Sequence, residues 1–154
     1  PEHAVNTAID LAVDAYIPDA YIPNQDQRID VYKKIAAIKT LDDRYGVEEE
    51  LVDRFSDPPA AVTNLIEIAL IKADASKLGI SEIACREGGI QFRLDSKLID
   101  MQLIAATISK YGSKMLFSAG EKPYVMLRST EKLTGEELIF NIKFVLHDMK
   151  ELKF

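Results

Sequence analysis

The stretch from residue 14 to residue 35, DAYIPDAYIPNQDQRIDVYKKI, decides how the first half of the chain folds. It contains two Tyr-Ile-Pro units five residues apart, which end at Pro18 and Pro23, and then a segment whose apolar residues have helical spacing. Proline lacks a backbone N–H and fixes φ, so both units favour an extended, irregular path. We therefore predict a rigid lead-in to a helical module, and no residue of this stretch indicates catalysis.

Three helices are predicted to follow the lead-in. The first extends from Asp26 to Lys39, and its apolar positions have the spacing of one helix face: Ile29, Tyr32, Ile35, Ala36 and Ile38. Thr40 is suited to cap the second helix, whose buried stripe is Val47, Leu51 and Phe55. The third helix is predicted to start at Asp57-Pro58, with the proline at the tolerated first position, and to end at Gly79.

The apolar period changes from helical to alternating outside this region. Residues 8–13 alternate and predict a strand at the start of the chain. After Gly79, alternation on both sides of Gly88-Gly89 predicts a hairpin with those two glycines in the turn. The remaining predicted elements are a helix over 101–112, a strand pair at 115–117 and 124–127, and a last helix opened by Thr134. The fold class is therefore α+β: an N-terminal strand and three helices, then hairpin, helix, hairpin and helix, with a mostly antiparallel sheet.

Length and composition are those of one ordinary globular domain over residues 1–154, with 47% hydrophobic and 29% charged residues. No apolar run is long enough for a membrane span. The chain begins with Pro1 rather than Met, so we expect a piece of a longer polypeptide, with residues 1–7 as a disordered linker remnant. The single cysteine, Cys85, excludes an internal disulfide and fits a cytoplasmic location.

Charge and motifs argue against most active-site chemistries. Residues 1–57 hold 13 acids and 6 bases, and such an acidic half disfavours a nucleic-acid ligand. Phosphate-binding glycine loops and the common hydrolase motifs are missing from the sequence. Cys85 is predicted to be a small core residue, and we expect neither His3 nor His147 to bind a metal or act in catalysis. The four methionines, Met101, Met115, Met126 and Met149, are predicted to lie in the core, and no cofactor is expected.

One surface cluster on the second helix is a candidate site. Glu50, Asp53 and Arg54 stand at i, i+3 and i+4, and burial of the apolar stripe turns them outward together. A compact patch of mixed charge is suited to docking on a complementary surface. The alternative interpretation is an exposed Glu50–Arg54 pair within the helix, worth about 0.2–0.5 kcal/mol.

The sequence resembles the C-terminal domain of the bacterial transcription-repair coupling factors (the Mfd family). The resemblance rests on Ile9-Asp10-Leu11, on the two Tyr-Ile-Pro units, on Arg28-Ile29 with Tyr32-Lys33-Lys34-Ile35, and on the stretch from Glu50 to Phe55 that leads to Pro58-Pro59. It is specific up to Leu78 and looser afterwards. One departure is Ser56, where the family usually has glycine, so the exit of the second helix is expected to differ.

The resemblance implies a regulatory role without catalysis. The parent of this family is an ATP-driven DNA translocase that removes stalled RNA polymerase and recruits UvrA, and this chain carries none of the motor. The C-terminal domain docks on the N-terminal UvrB-like module and masks the UvrA-binding surface. Glu50, Asp53 and Arg54 match the docking helix of the family. UvrA, RNA polymerase and DNA are then indirect partners through the parent, and no membrane is involved.

Two other classes of function remain open at this point. The first is an accessory domain that contacts nucleic acid or RNA polymerase directly, which the acidic front half disfavours. The second is a small hydrolase with paired carboxylates, which requires a concave pocket containing at least two acids with raised pKa values.

Overall fold

The structure is a computed structural model that describes residues 6–153. His3 and most of the predicted linker at residues 1–7 therefore lie outside the described residues. Thr7 is described and is buried, and its hydroxyl donates a hydrogen bond of 2.7 Å to the carbonyl of Ile80. Among the described helices, none combines the length and the apolar character that crossing a bilayer requires.

The chain divides into two compact units. The helical unit comprises Val13–Ala73, and the sheet unit comprises the described residues before Val13 and after Ala73. In chain order the elements are β1 (Ala8–Asp10), α1 (Gln25–Ala36), α2 (Leu41–Phe55), α3 (Ala60–Lys77), β2 (Ile80–Arg86), β3 (Gly89–Leu94), α4 (Met101–Tyr111), β4 (Met115–Ser118), β5 (Tyr124–Arg128) and α5 (Gly135–Lys153). The predicted α+β class and order of elements are confirmed. The boundary between the units falls within α3.

The lead-in of the helical unit is irregular, as the prolines predict, but it is not extended throughout, because the N–H groups of Tyr21 and Ile22 close a turn on the carbonyl of Pro18. Its apolar side chains are buried. Ile17 and Ile22 belong to a core that also contains residues from α1, α2 and α3: Val31, Ile35, Ile38, Leu51, Val62, Ile66 and Leu70. Side chains tie the segment to the helices. The hydroxyl of Tyr32 accepts the N–H of Ile17 at 2.8 Å, and Arg28 donates to the carbonyls of Ile22 and Pro23, both at 2.9 Å.

The buried face of α1 differs from the predicted one. Ile29 and Tyr32 are 45% and 38% exposed, whereas Val31, which the prediction omitted, is buried beside Ile35. The helix also ends at Ala36 instead of Lys39, so Ile38 reaches the core from the connection to α2. The reason is the lead-in: its isoleucines occupy the core, and Tyr32 stays at the edge, where its hydroxyl serves the backbone of Ile17.

The sheet of the second unit has the strand order β1-β2-β3-β5-β4. β1 and β2 are parallel, and the other three pairs are antiparallel, which confirms the predicted mostly antiparallel sheet. Ile83, Phe92 and Val125 are cross-strand neighbours and are fully buried. Alternate positions on the same strands place Glu82, Arg93 and Tyr124 on the opposite face.

The turn of the β2–β3 hairpin lies one residue earlier than predicted. Arg86 pairs with Gly89, so the turn residues are Glu87 and Gly88, and Gly89 is already part of β3. Gly89 is needed there for a different reason. A Cβ atom at this position would collide with the backbone carbonyl of Leu127 on β5.

Two predicted core residues are on the surface. Cys85 is exposed because β1 pairs with β2 only as far as Ala84 and leaves Cys85 without a neighbouring strand on that side. Met101 is 52% exposed as the first residue of α4. The other three methionines are buried, as predicted.

Ser56, the residue that follows α2, has a backbone conformation typical of glycine. Its φ is 87° and its ψ is −175°, and it is the one described non-glycine residue with positive φ. The hydroxyl of Tyr21 donates a 2.7 Å hydrogen bond to the Ser56 carbonyl, and the Ser56 N–H bonds to Val52. These contacts hold the helix exit in a strained conformation, which costs a side-chain-bearing residue about 1–3 kcal/mol.

We expect Ser56→Gly to raise the free energy of unfolding by about 1 kcal/mol, because glycine adopts this backbone conformation without strain. Urea unfolding followed by circular dichroism measures the change. Ser113→Gly is the matched control, since Ser113 has no positive φ and glycine there should destabilise slightly. Equal effects of the two substitutions would contradict the strain at Ser56.

Candidate docking surface on α2

The start of α2 is fixed by reciprocal hydrogen bonds. The Thr40 hydroxyl accepts the N–H of Asp43 at 3.1 Å, and the Asp43 carboxylate accepts the N–H groups of Thr40 and Lys39 at 3.2 and 2.9 Å. The bonds from Lys39 and Thr40 lower the pKa of Asp43, against a smaller opposing effect of desolvation. Thr40 is therefore the N-cap, as predicted, and the capping box sets the rotation of the helix from its first turn.

The rotation of α2 leaves one face in the core and one in solvent. Leu51 is buried, and Val47 and Phe55 pack against the core half-buried. The side chain of Arg44 extends towards α3, where it forms an ion pair with Glu67 at 2.6 Å, and it also pairs with Glu48 of α2 at 2.8 Å. The outer face carries three exposed apolar side chains that the sequence prediction did not single out: Leu41, Tyr45 and Val52.

Glu50, Asp53 and Arg54 lie on the surface of α2, but their charges are not equally available. Glu50 Oε2 accepts hydrogen bonds from Lys34 Nζ of α1 and from Arg54, each at 2.8 Å. The side chains of Glu50 and Arg54 are each about one third exposed, at 34% and 35%. The Arg54 guanidinium also lies 4.8 Å from the centroid of the Phe55 ring.

The pairing keeps Glu50 ionised. The hydrogen bond from Lys34 lowers the pKa of Glu50 most, the bond from Arg54 adds to this, and desolvation opposes both. A general acid requires a carboxyl whose pKa is raised, so Glu50 has the opposite electrostatic setting. Lys34 was missed by sequence reasoning, because its approach to Glu50 depends on how α1 packs beside α2.

Asp53 differs from its two neighbours on the ridge. It is exposed and makes no ion pair or side-chain hydrogen bond with any residue between 6 and 153. It borders a shallow depression of about 730 Å³ whose lining comes from α2 alone: Gly46, Glu48, Glu49, Glu50, Val52 and Asp53. Gly46 helps to form it, because no atom lies within 4 Å of the place where a side chain would begin. A helix surface with an exposed, unpaired carboxylate, apolar neighbours and a shallow depression is suited to contact another protein surface.

Other candidate residues do not form a reactive site. Partial desolvation of its thiol, although the residue is exposed, and then the charge of Asp10 raise the pKa of Cys85, which disfavours the thiolate. His147 is exposed, and its Nε2 lies 3.8 Å from Glu151. Over residues 6–153, no cluster of three or more histidine, cysteine or acidic side chains is arranged to hold a metal ion.

Asp148 on α5 is a buried carboxylate that sequence reasoning missed. It is 6% exposed and accepts hydrogen bonds from Tyr111 at 2.6 Å and from Lys110 at 3.1 Å, which join α5 to α4. Burial raises the pKa of Asp148, but the bonds from Tyr111 and Lys110 outweigh it and leave the pKa below its usual value. Burial and then the bond to Asp148 raise the pKa of Tyr111 far above its usual value. The cluster is satisfied and structural.

The chain is similar to known proteins over most of its length. Residues 11–104 match the family model of the TRCF domain. The transcription-repair-coupling factor of Staphylococcus aureus (strain USA300) is 34% identical over 120 residues, which are 77% of this chain and 10% of that protein. The factor of Staphylococcus haemolyticus is 34% identical over 94 residues, or 61% of this chain and 8% of that protein. The chain therefore spans about a tenth of the length of the curated relatives it matches.

A solved structure agrees in fold over the whole chain. The crystal structure of a C-terminal domain of transcription-repair coupling factor has a TM-score of 0.76 with 26% sequence identity. The match covers 99% of this chain and 98% of the solved one.

We expect Tyr111→Phe to lower the free energy of unfolding at pH 7 by about 1–3 kcal/mol, because it removes a hydrogen bond to a charged group. The difference in the free energy of unfolding between this variant and the unmodified chain should become smaller below pH 4. The pKa of Asp148 is lower in the folded chain than in the unfolded chain, so its carboxylate stabilises the folded state above the unfolded pKa. This stabilisation is lost as the pH falls towards the lowered pKa of the folded chain. The substitution removes one cause of the lowering and moves the folded-state pKa of Asp148 towards its usual value. Urea unfolding at pH 7 and pH 3.5 measures both effects. Tyr45→Phe is the control, since the Tyr45 hydroxyl makes no hydrogen bond to a described residue; a pH-independent difference for Tyr111→Phe would contradict the linkage.

Proposed function

Since this chain belongs to the TRCF domain family, we propose that it is a non-catalytic regulatory domain of a transcription-repair coupling factor. The complete factor would be an ATP-driven DNA translocase of the cytoplasm that removes stalled RNA polymerase and recruits UvrA. The motor would reside in other parts of that protein. This chain would contribute a contact surface rather than a reaction.

The proposed surface is the outer face of α2, with Glu50, Asp53 and Arg54 as its charged residues. It would dock on the N-terminal UvrB-like module of the same protein, mask the surface that binds UvrA, and restrain the translocase. Asp53 supports this role most directly, because it is an exposed acid without a partner among the described residues, next to a shallow depression. An unpaired charge of this kind is free to pair with a cation of another module.

Exposed apolar residues of α2 would provide most of the area buried in the contact, and its charged residues would fix the orientation of the partner. Tyr45 and Val52 are 58% and 49% exposed, and burying them on a partner would contribute most of the attraction. Ion pairs at the rim add little affinity and mainly select the partner and its orientation. Because both modules would belong to one polypeptide, tethering raises their effective concentration, so a weak and releasable contact suffices.

The charge of this face favours a protein partner over nucleic acid. Glu49 and Asp53 border the depression, and the bases near it, Lys34 and Arg54, are already paired with Glu50. A phosphate backbone would meet carboxylates before it met a free cation. The accessory nucleic-acid role is therefore the less supported candidate.

The internal pairing of Glu50 decides the design of the test. Reversing Glu50 would also break its bond to Lys34 and weaken the contact of α1 with α2. Loss of docking in a Glu50 variant would then have two explanations. Asp53 has no such internal bond, so its reversal changes the surface alone.

We expect Asp53→Lys to weaken binding of the isolated chain to the N-terminal module of the parent at least about tenfold, because it replaces an attraction with a repulsion. Isothermal titration calorimetry measures the affinity, and urea unfolding checks that the fold is intact. Glu121→Lys makes the same charge change on the exposed β4–β5 connection and should leave the affinity unchanged.

In the complete factor, Asp53→Lys should raise UvrA binding and ATPase activity, and the triple variant Glu50→Lys, Asp53→Lys, Arg54→Glu should raise them further. Duplex DNA in place of the N-terminal module is the parallel arm. Unchanged docking in both variants, or tight salt-dependent DNA binding by the unmodified chain, would reject the proposed contact.

A further inference from the structure

Lys34 of α1 lies between two carboxylates. Its Nζ is 2.8 Å from Glu50 Oε2 of α2 and 3.2 Å from Asp30 Oδ2, one turn earlier on α1. The Lys34 side chain is 42% exposed, so its ammonium group bridges the two helices at the surface of the helical unit. The role inferred below for Lys34 rests on the docking proposed for α2, because Glu50 is part of that surface.

The contact with Lys34 occupies a carboxylate of the proposed docking surface. Glu50 Oε2 accepts hydrogen bonds from Lys34 and from Arg54, each at 2.8 Å. Arg54 belongs to α2 itself and stands one turn from Glu50, so it is part of the same surface. Lys34 comes from a different helix, and its bond ties the Glu50 carboxylate to α1.

The charged residues that line the depression on α2 are all acids: Glu48, Glu49, Glu50 and Asp53. Arg44 neutralises Glu48, whereas Glu49 and Asp53 form no ion pair with any residue between 6 and 153. A protein group that enters this depression meets negative charge and should therefore carry a cation of its own, from lysine or arginine.

A cation that arrives at this surface would compete with Lys34 for Glu50. While Lys34 holds the carboxylate, Glu50 offers the partner an ion pair that is already neutralised. Once released, it would offer a second negative charge three residues from Asp53, on the same side of the helix. Exposed ion pairs contribute modest free energies, so the competition should change the affinity severalfold rather than by orders of magnitude.

We propose that Lys34 is an internal competitor that limits the affinity of the α2 surface by holding Glu50 to α1. The surface then docks through Asp53 and the exposed apolar residues Tyr45 and Val52, while Glu50 stays paired within the chain. Such a limit suits a contact that has to open again, because tethering already favours the closed state and a tighter contact would keep the two modules together.

Isothermal titration calorimetry of the chain with the N-terminal module of the parent tests this competition. We expect Lys34→Met to strengthen binding about three- to fivefold, because methionine keeps the apolar stem of the side chain and removes the charge that holds Glu50. Lys33→Met is the matched control. It makes the same change one residue earlier, where the side chain is exposed and bonds to no residue between 6 and 153, and it should change the affinity less than about twofold. Urea unfolding confirms that both variants are folded.

A double-variant cycle tests whether Lys34 acts through Glu50. In a Glu50→Gln background, Lys34→Met should have no larger effect than the Lys33→Met control, because no carboxylate is left to release. In the isolated chain, Lys34→Met should raise the pKa of Glu50, since the hydrogen bond from Lys34 is the largest cause of its lowering. An NMR titration of the Glu50 carboxyl carbon measures this pKa without the partner.

Weaker or unchanged binding by Lys34→Met would overturn the proposal, as would an equal gain from Lys33→Met or a full gain in the Glu50→Gln background. An unaltered pKa of Glu50 would also overturn it, because Lys34 would then not hold the carboxylate. Asp53→Lys separates this proposal from the docking on which it rests. If Asp53→Lys leaves binding unchanged, the docking is rejected and the role of Lys34 with it. If Asp53→Lys weakens binding but Lys34→Met does not strengthen it, the docking stands and the role of Lys34 alone is rejected.

Discussion

Burial of the two lead-in isoleucines holds the helical unit together. Ile17 and Ile22 occupy the core between α1, α2 and α3, and the chain turns between them, with the N–H groups of Tyr21 and Ile22 bonded to the carbonyl of Pro18. The prolines prevent a continuous helix or strand, so the segment's polar backbone groups are satisfied partly by this turn and partly by side chains. Tyr32 and Arg28 bind its backbone, and Tyr21 reaches the end of α2 at Ser56. The exit of α2 is thereby fixed to the same segment that fills the core.

This constraint also explains which groups of α2 are free. With Leu51 inward and both ends of the helix fixed, Glu50 comes within reach of Lys34 on α1, and the two pair. Arg54 joins the same carboxylate. The ridge is thus half neutralised from within, and Asp53 is the charge that remains available. Mixed-charge ridges read from sequence can therefore overstate the charge a partner would meet.

In the sheet unit, the two sides of α5 carry side chains of unexpected polarity. The buried side includes Asp148, whose carboxylate is stabilised by Tyr111 and Lys110 and joins α5 to α4. The outer side leaves Phe140 and Phe144 in solvent. A buried acid with full hydrogen bonding and an exposed aromatic pair on one helix both depart from the usual amphipathic distribution. The first is explained by its partners within the chain.

The order of elements, the α+β class, the capping of α2 by Thr40 and the surface position of Glu50, Asp53 and Arg54 could be predicted from the amino-acid sequence. These follow from local rules: hydrophobic period, capping residues and proline, each of which acts within a few residues. Three features could not be predicted without the folded structure: Ile29 is exposed and Val31 buried, Lys34 pairs with Glu50, and Asp148 is a buried structural acid. Each of these depends on segments far apart in the chain that compete for the same core space or the same carboxylate, and no local pattern records the outcome of that competition.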